Sequence, residues 1–315
     1  MRLLRDPDVA RLAWDDVFDA LRAAFHDPTR YRVAERVQLE APDGGAWLTM
    51  PCASDDGWFG VKQVSVLPAN AVAGRPSVQA WYTLMGPDGA PTLATEAGLL
   101  TKLRTSAVSA LAADVLAPPS PRTLLVVGTG ALAPWMARAH LQVRPFETVW
   151  VWGRRPERAE ATVAAILAEL QGLPTRPAVA VAPDLEAAVR AADVVSVATT
   201  SQVALVEGAW LRAGQHVDLV GAFLPTMREV DAEAVRRAQV VVDDRRAARA
   251  EAGDLVRAAA EGWSWDAVAG DLADALAGRF ERATDRPTLF KSVGLALEDL
   301  AVVRLLADGG GSVPA

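Results

Sequence analysis

The stretch that most constrains this chain is TLLVVGTGALAPWMARAH, residues 123 to 140. Five strand-forming residues run into Gly128 and Gly130, and a helical pattern follows, in the order Gly-x-Gly-x-x-Ala with Ala133 in the third slot. The first glycine permits a tight turn, and the second lets backbone approach a pyrophosphate at a helix N-terminus. Glycines occupy many strand-to-helix turns, so the triplet alone says little. Here the strand, the turn, the helix and a next strand, TVWVW at 148 to 152, fall at the distances a dinucleotide site requires. Gly128, Thr129, Gly130, Ala131 and Ala133 are therefore the candidate cradle.

From that point the chain has one rhythm. TLLVV, TVWVW, AVAVA, DVVSVA, HVDLV and QVVVD are short apolar runs, most of them separated by helical patterns. Apolar on both faces and joined by crossovers, they predict an α/β fold with a doubly wound parallel sheet of about six strands. The earlier half differs. A helix with Val17, Leu21 and Phe25 on one face precedes strand-like pieces divided by PDGG and GPDGAP, and then a long helix from residue 96. APPSP at 117 to 121 predicts a boundary, because consecutive prolines end a helix and stiffen a link. Residues 118–287 are expected to form the dinucleotide domain, and residues 1–117 with 288–315 the other. The late run LFKSVGLALEDLAVVRLLAD reads as a helix returning to the first half, and GGGSVPA as a disordered tail.

Composition removes other classes. A net charge of −7 over 315 residues gives no basic footprint, so neither nucleic acid nor an anionic membrane is an expected partner. No apolar run approaches the roughly 20 residues that a bilayer span needs. The start, MRLLRDPDVARLAWDD, lacks an apolar secretory core, and Cys52 stands alone, so a cytoplasmic protein without disulfides is expected. His26, His140 and His216 have no spacing suited to a metal, and none is expected.

The second strand of the dinucleotide domain ends in Gly153, Arg154 and Arg155. An NAD-preferring site places an acid there for the ribose 2′-hydroxyl, whereas two guanidinium groups suit a 2′-phosphate. NADPH or NADP is expected over NAD. Two further cations sit where apolar residues belong. Arg104 projects from the face formed by Leu100, Leu103, Ala107, Leu111 and Val115, opposite Lys102, Ser106 and Ser109. Lys62 shares a strand face with Trp58, Val64 and Val66. A guanidinium turned inward needs an anion, from another segment or from a ligand. Two inward cations suggest a small carboxylate substrate, which arginine can grip with both nitrogens.

With these residues in place, the chain resembles the ornithine cyclodeaminase and mu-crystallin family. The resemblance is carried in order by MPC, GVKQVSVLPAN, LLTKLRTSAVSALAADVLA, VVGTGALA, VWGRR, VGAFLPTMREVD, EAGDL and LFKSVGLALEDLA. It implies a Rossmann domain joined to a mixed α/β dimerisation domain built from both chain ends, and hence a homodimer. It implies that Arg36, Lys62 and Arg104 surround a substrate carboxylate, with Lys62 and Arg104 catalytic. Thr199 and Thr200 are expected on the nicotinamide side of the cofactor, and Lys291 and Ser292 in a segment that approaches it. Family members that cyclise ornithine carry an aspartate in a Gly-Gly-Asp loop, where this chain has Gly221, Ala222 and Phe223. Asp218 and Asp231 lie too early and too late to replace it. The departure points to the ketimine reductase branch, whose cyclic imine needs hydride, a proton and a held carboxylate, with Phe223 walling the pocket. The expected substrate is a small cyclic imino acid of five- or six-membered ring. Ornithine cyclodeaminase, alanine dehydrogenase and non-catalytic binding of NADPH and a small acid remain as alternatives.

Overall fold

The computed structural model describes residues 1–41, 45–71, 73–171 and 176–307. Two compact units emerge, Met1–Arg104 with Leu295–Ala315, and Thr105–Gly294. The expected boundary at Pro118–Pro119 lies inside the second of these. The helix Gly98–Leu116 ends before those prolines, and Ala113 and Ala117 already belong to the second unit's core.

The first unit holds a seven-stranded sheet: β1 (Arg2–Leu4), β2 (Tyr31–Val33), β3 (Val37–Ala41), β4 (Gly45–Ser54), β5 (Phe59–Val66), β6 (Val78–Met85) and β7 (Pro91–Glu96). Its order is β1-β7-β6-β5-β4-β2, with β3 also on β4; β1 runs parallel to β7 and the other pairs are antiparallel. Period-two alternation buries one face, with Leu48, Met50 and Cys52 on β4 beside Gly60 and Lys62 on β5 and Tyr82 and Leu84 on β6. The register sets Lys62 between Met50 and Tyr82. Helix Ala296–Ala307 packs on β4, β5 and the helix Trp14–His26, whose Val17, Leu21 and Phe25 are buried.

The second unit holds eight parallel strands: β8 (Thr123–Val127), β9 (Thr148–Trp152), β10 (Ala178–Val181), β11 (Val194–Val197), β12 (His216–Leu219), β13 (Gln239–Val242), β14 (Val268–Asp271) and β15 (Thr288–Lys291). Their order is β10-β9-β8-β11-β12-β15-β13-β14, so the chain reverses direction across the sheet on either side of β8. Ligands of such sheets bind beyond the carboxyl ends of the strands at that reversal. Leu124 and Val126 face one apolar cluster and Leu125 and Val127 the other, as a strand covered on both sides requires.

All six expected strands are present, and the sequence reading missed two. It took the run from Leu289 as one helix. Thr288–Lys291 is instead a buried strand between β12 and β13, and the helix begins at Ala296 after Gly294 (φ 79°). A four-residue apolar run carries no periodicity that separates strand from helix. Ser106 and Ser109, which the helical spacing sets opposite the apolar face and so toward solvent, are instead fully buried, because the helix that carries them is covered on most of its circumference. Among the described residues no helix is long and apolar enough to cross a membrane. The tail 309–315 and most of the PDGG turn lie outside the described residues.

Candidate active site

The glycine-rich turn ends β8. Gly128 has φ 132°, and a Cβ there would stand 2.4 Å from the carbonyl oxygen of Ala198, so both conformation and space demand glycine. A Cβ on Gly130 would meet no protein atom within 4 Å; the space it would fill is open to a ligand. Thr129, Gly130 and Ala131 are partly or fully exposed, while Ala133 is buried at the start of helix Ala133–Val143. This is the arrangement that a pyrophosphate requires, and the residues fit a dinucleotide. Gly153 follows β9, where a Cβ would collide with the Thr129 methyl at 2.4 Å. Arg154 and Arg155 are exposed, and neither forms an ion pair among the described residues.

The loops after β11 and β12 are joined by one carboxylate. Glu229 accepts from the Thr199 N–H at 2.7 Å, the Thr199 hydroxyl at 3.0 Å, the Gly221 N–H at 2.8 Å and the Ala222 N–H at 3.1 Å. Asp254 accepts in turn from the N–H groups of Glu229 and Val230, and Lys291 Nζ lies 3.1 Å from Asp254 Oδ2 and 3.9 Å from Glu229 Oε2. Burial pushes the Glu229 carboxyl up to about 7, against the pull of Lys291. Lys291 was expected to contact the cofactor. Its side chain is fully buried in this network, because β15 is an internal strand rather than a helix start. Ser292 likewise turns inward, its hydroxyl donating to Asp243 at 3.0 Å. Thr200 is exposed, and Phe223 is half-buried against the sheet's apolar cluster.

The two aspartates weighed as replacements for the missing one are both engaged. Asp218 is fully buried within β12 and accepts from Ser196 at 2.9 Å, and Asp231 caps the helix Ala232–Arg237. Neither is presented to a ligand.

The expected cations come together in the first unit. Lys62 Nζ donates to Asp299 Oδ1 at 2.9 Å, and Arg104 Nε donates to the same oxygen at 3.1 Å. Arg104 Nη1 also donates to Glu298. All four side chains are almost completely buried. The sequence left open whether another segment or a ligand supplies the anion for Arg104; the helix Ala296–Ala307 supplies it. Arg36, half-buried between β2 and β3, acts electrostatically on Lys62. Burial first, and the Arg104 charge second, lower the Lys62 ammonium to about 8, with Asp299 opposing.

Sequence reasoning missed Glu298 and Asp299. The signal was two adjacent acids in an otherwise apolar helix, ALEDLAVV, which cannot both reach water. It also missed Tyr82, opposite Lys62. Its fully buried hydroxyl has no hydrogen-bond partner among the described residues and rests on Gly60, where a Cβ would stand 1.9 Å away.

Comparison with known proteins gives one consistent picture. Residues 7–310 match the family model described as the ornithine cyclodeaminase/mu-crystallin family. The chain is 35% identical to the Δ1-pyrroline-2-carboxylate reductase of Paracoccus denitrificans, over 94% of this chain and 93% of that one. The structure of Thermococcus litoralis Δ1-pyrroline-2-carboxylate reductase with NADH and L-proline superposes with a TM-score of 0.92, at 30% identity and covering 98% of this chain and 97% of that one. An archaeal alanine dehydrogenase dimer with bound NAD superposes with a TM-score of 0.89, at 28% identity and covering 98% and 95%.

Proposed function

Because the chain belongs to the ornithine cyclodeaminase/mu-crystallin family, we propose that it is an NADPH-dependent reductase of cyclic ketimine carboxylates. Δ1-Pyrroline-2-carboxylate or Δ1-piperideine-2-carboxylate would give L-proline or L-pipecolate. The observation that carries this reading is the pair of buried cations, Lys62 and Arg104, brought together on Asp299 with the half-buried Arg36 acting electrostatically on Lys62. Guanidinium and ammonium groups gathered in this way suit a substrate carboxylate.

Bound NADPH would supply the hydride. Gly128, Gly130 and the start of helix Ala133–Val143 would hold its pyrophosphate, with Arg154 and Arg155 at the 2′-phosphate. Arg104 and Arg36 would hold the substrate carboxylate, while Glu298 and Asp299 keep Arg104 and Lys62 extended. Lys62, lowered to about 8, is protonated at neutral pH yet releases its proton readily, which suits a donor to the imine nitrogen. The engaged states of Asp218 and Asp231, with Phe223 at the loop, argue against the cyclodeaminase reading. Ring closure from a diamine needs a free acid–base group there. The two solved relatives were captured with NADH and with NAD, so the exposed arginine pair alone supports the phosphate preference.

Absorbance at the NADPH band tests the proposal. Δ1-Pyrroline-2-carboxylate should be reduced with a higher kcat/KM for NADPH than for NADH, and ornithine should yield no ammonia. Ammonia release from ornithine would overturn the substrate class; equal use of both cofactors would remove the phosphate assignment.

The reading includes a homodimer. Val37, Leu39, Trp47 and Trp81 line the sheet face opposite Lys62 together with Thr49, Gln63 and Gln79, and Trp47 and Leu39 are 45% and 62% exposed. An apolar face of this kind is normally covered, and a second copy is the proposed cover. Light scattering that returned a monomer would refute it.

A further inference from the structure

Buried carboxylates are expensive unless every lone pair is used. Glu229 uses all of its capacity, for a carboxylate offers about four acceptor sites and four donors fill them. The donors come from two different loops. Oε1 takes both donors of Thr199, after β11, and Oε2 takes Gly221 and Ala222, after β12. The approach is so close that a Cβ on Gly221 would lie 2.0 Å from the Thr199 carbonyl oxygen and 2.3 Å from Glu229 Oε1. Thr199 and its neighbour Ala198 are also the groups against which Gly128 packs. One carboxylate thus reaches, through two contacts, the glycine turn itself.

The far end of the same loop is pinned as firmly. Asp254 holds the N–H groups of Glu229 and Val230 at 2.6 and 3.0 Å, and the Gly253 N–H donates to Ala222 at 3.0 Å. A Cβ on Gly253 would meet the carbonyl oxygens of Leu224 and Met227 at 2.3 Å. Lys291, from β15, supplies the counter-charge.

We propose that Glu229 is a positioning residue of the dinucleotide site, a clasp that fixes the Thr199 and Gly221–Phe223 backbone against the Gly128 turn before the cofactor arrives. The inference rests on the dinucleotide part of the proposed function and not on the imine. Its chemistry is specific to a carboxylate. In Glu229→Gln one oxygen becomes an NH2 group aimed at two donors that already point toward it, so one half of the clasp opens. The charged groups that face Glu229 are Lys291 from β15 and Asp254 from helix Gly253–Ala260, and both stay in place in that variant.

Fluorescence titration of NADPH and amide hydrogen exchange of the cofactor-free protein test the clasp without any turnover. Glu229→Gln should weaken NADPH about tenfold, the scale of losing one or two charge-assisted hydrogen bonds, and should speed exchange at Gly221 and Ala222. In steady-state assays KM for NADPH should rise while KM for the imine stays within about twofold. A purely structural role would lower the folded, active fraction and therefore apparent kcat, leaving KM alone. Thr199→Val, which removes a single hydroxyl donor, serves as the milder variant; it should accelerate exchange at Gly221 across the loop. Unchanged NADPH affinity in Glu229→Gln, or unchanged Gly221 exchange in Thr199→Val, would overturn the proposal. A wild-type protein that binds NADPH but leaves the imine untouched would sink the substrate reading and spare the clasp.

Discussion

Two buried ion clusters invite comparison, one in each unit. In the first, Lys62 and Arg104 share Asp299, Glu298 adds a second acid, and Arg36 acts electrostatically on Lys62. In the second, Lys291 faces Asp254 and Glu229, and the acids outnumber the cation two to one. The two clusters differ in what else they hold. Backbone and hydroxyl donors converge on the acids of the second cluster, four on Glu229 and two on Asp254. The second cluster therefore holds backbone, whereas the first offers the two cations that the proposed function assigns to a substrate carboxylate.

Removing Arg104 should break that contrast most severely. Arg104→Ala is expected to lower kcat/KM for imine reduction about 10^3-fold, the scale of truncating one member of a buried charge pair. The variant also leaves Glu298 and Asp299 short of a cation, so some loss of stability will accompany it. NADPH affinity measured by fluorescence should be little changed, which separates carboxylate recognition from unfolding. Normal imine kinetics in this variant would make the first cluster as structural as the second.

What the sequence revealed about these clusters followed from periodicity. Arg104 and Lys62 were found because a charge interrupted an apolar face at helical or strand spacing, and the glycine turn was found because strand, turn and helix lay at fixed offsets. The partners were not found, because Glu298 and Asp299 lie 194 and 195 residues beyond Arg104, and pairing across that span is settled by tertiary packing. The second cluster was missed for a related reason. Lys291 was read at the start of a helix, and only the insertion of β15 between β12 and β13 turns it toward Asp254. Arg36 came from resemblance alone. The strands flanking it are exposed and carry no pattern that singles it out.

The clusters also differ in pH response, which sharpens the comparison at a smaller scale. Lys62 must be protonated to donate, and its ammonium is lowered to about 8. The activity should therefore fall as pH rises through about 8, approaching tenfold per unit above it. Lys62→Arg cannot lose its proton in this range, so whatever activity survives should lack that alkaline limb. A limb that persisted in the arginine variant would assign it to another group.

Stability should show the smallest effect, with opposite signs for the two clusters. Glu229 is raised from 4.5 to about 7 in the folded chain, so between those values the folded state holds the proton more firmly than the unfolded state does. Its contribution is fully present below 4.5 and is lost as pH climbs through about 7. Lys62 is lowered from 10.5 to about 8, so over that window the unfolded chain binds the extra proton and stability gains with pH. Thermal scans of the wild type and Glu229→Gln between pH 4.5 and 8 isolate the first of these. The wild type should lose a few degrees of Tm more than the variant across that interval, since each kcal/mol moves Tm by about 1–3 °C in a chain of this size. Parallel profiles would mean that the four donors and Lys291 hold Glu229 ionised throughout, and the clasp would then be insensitive to pH.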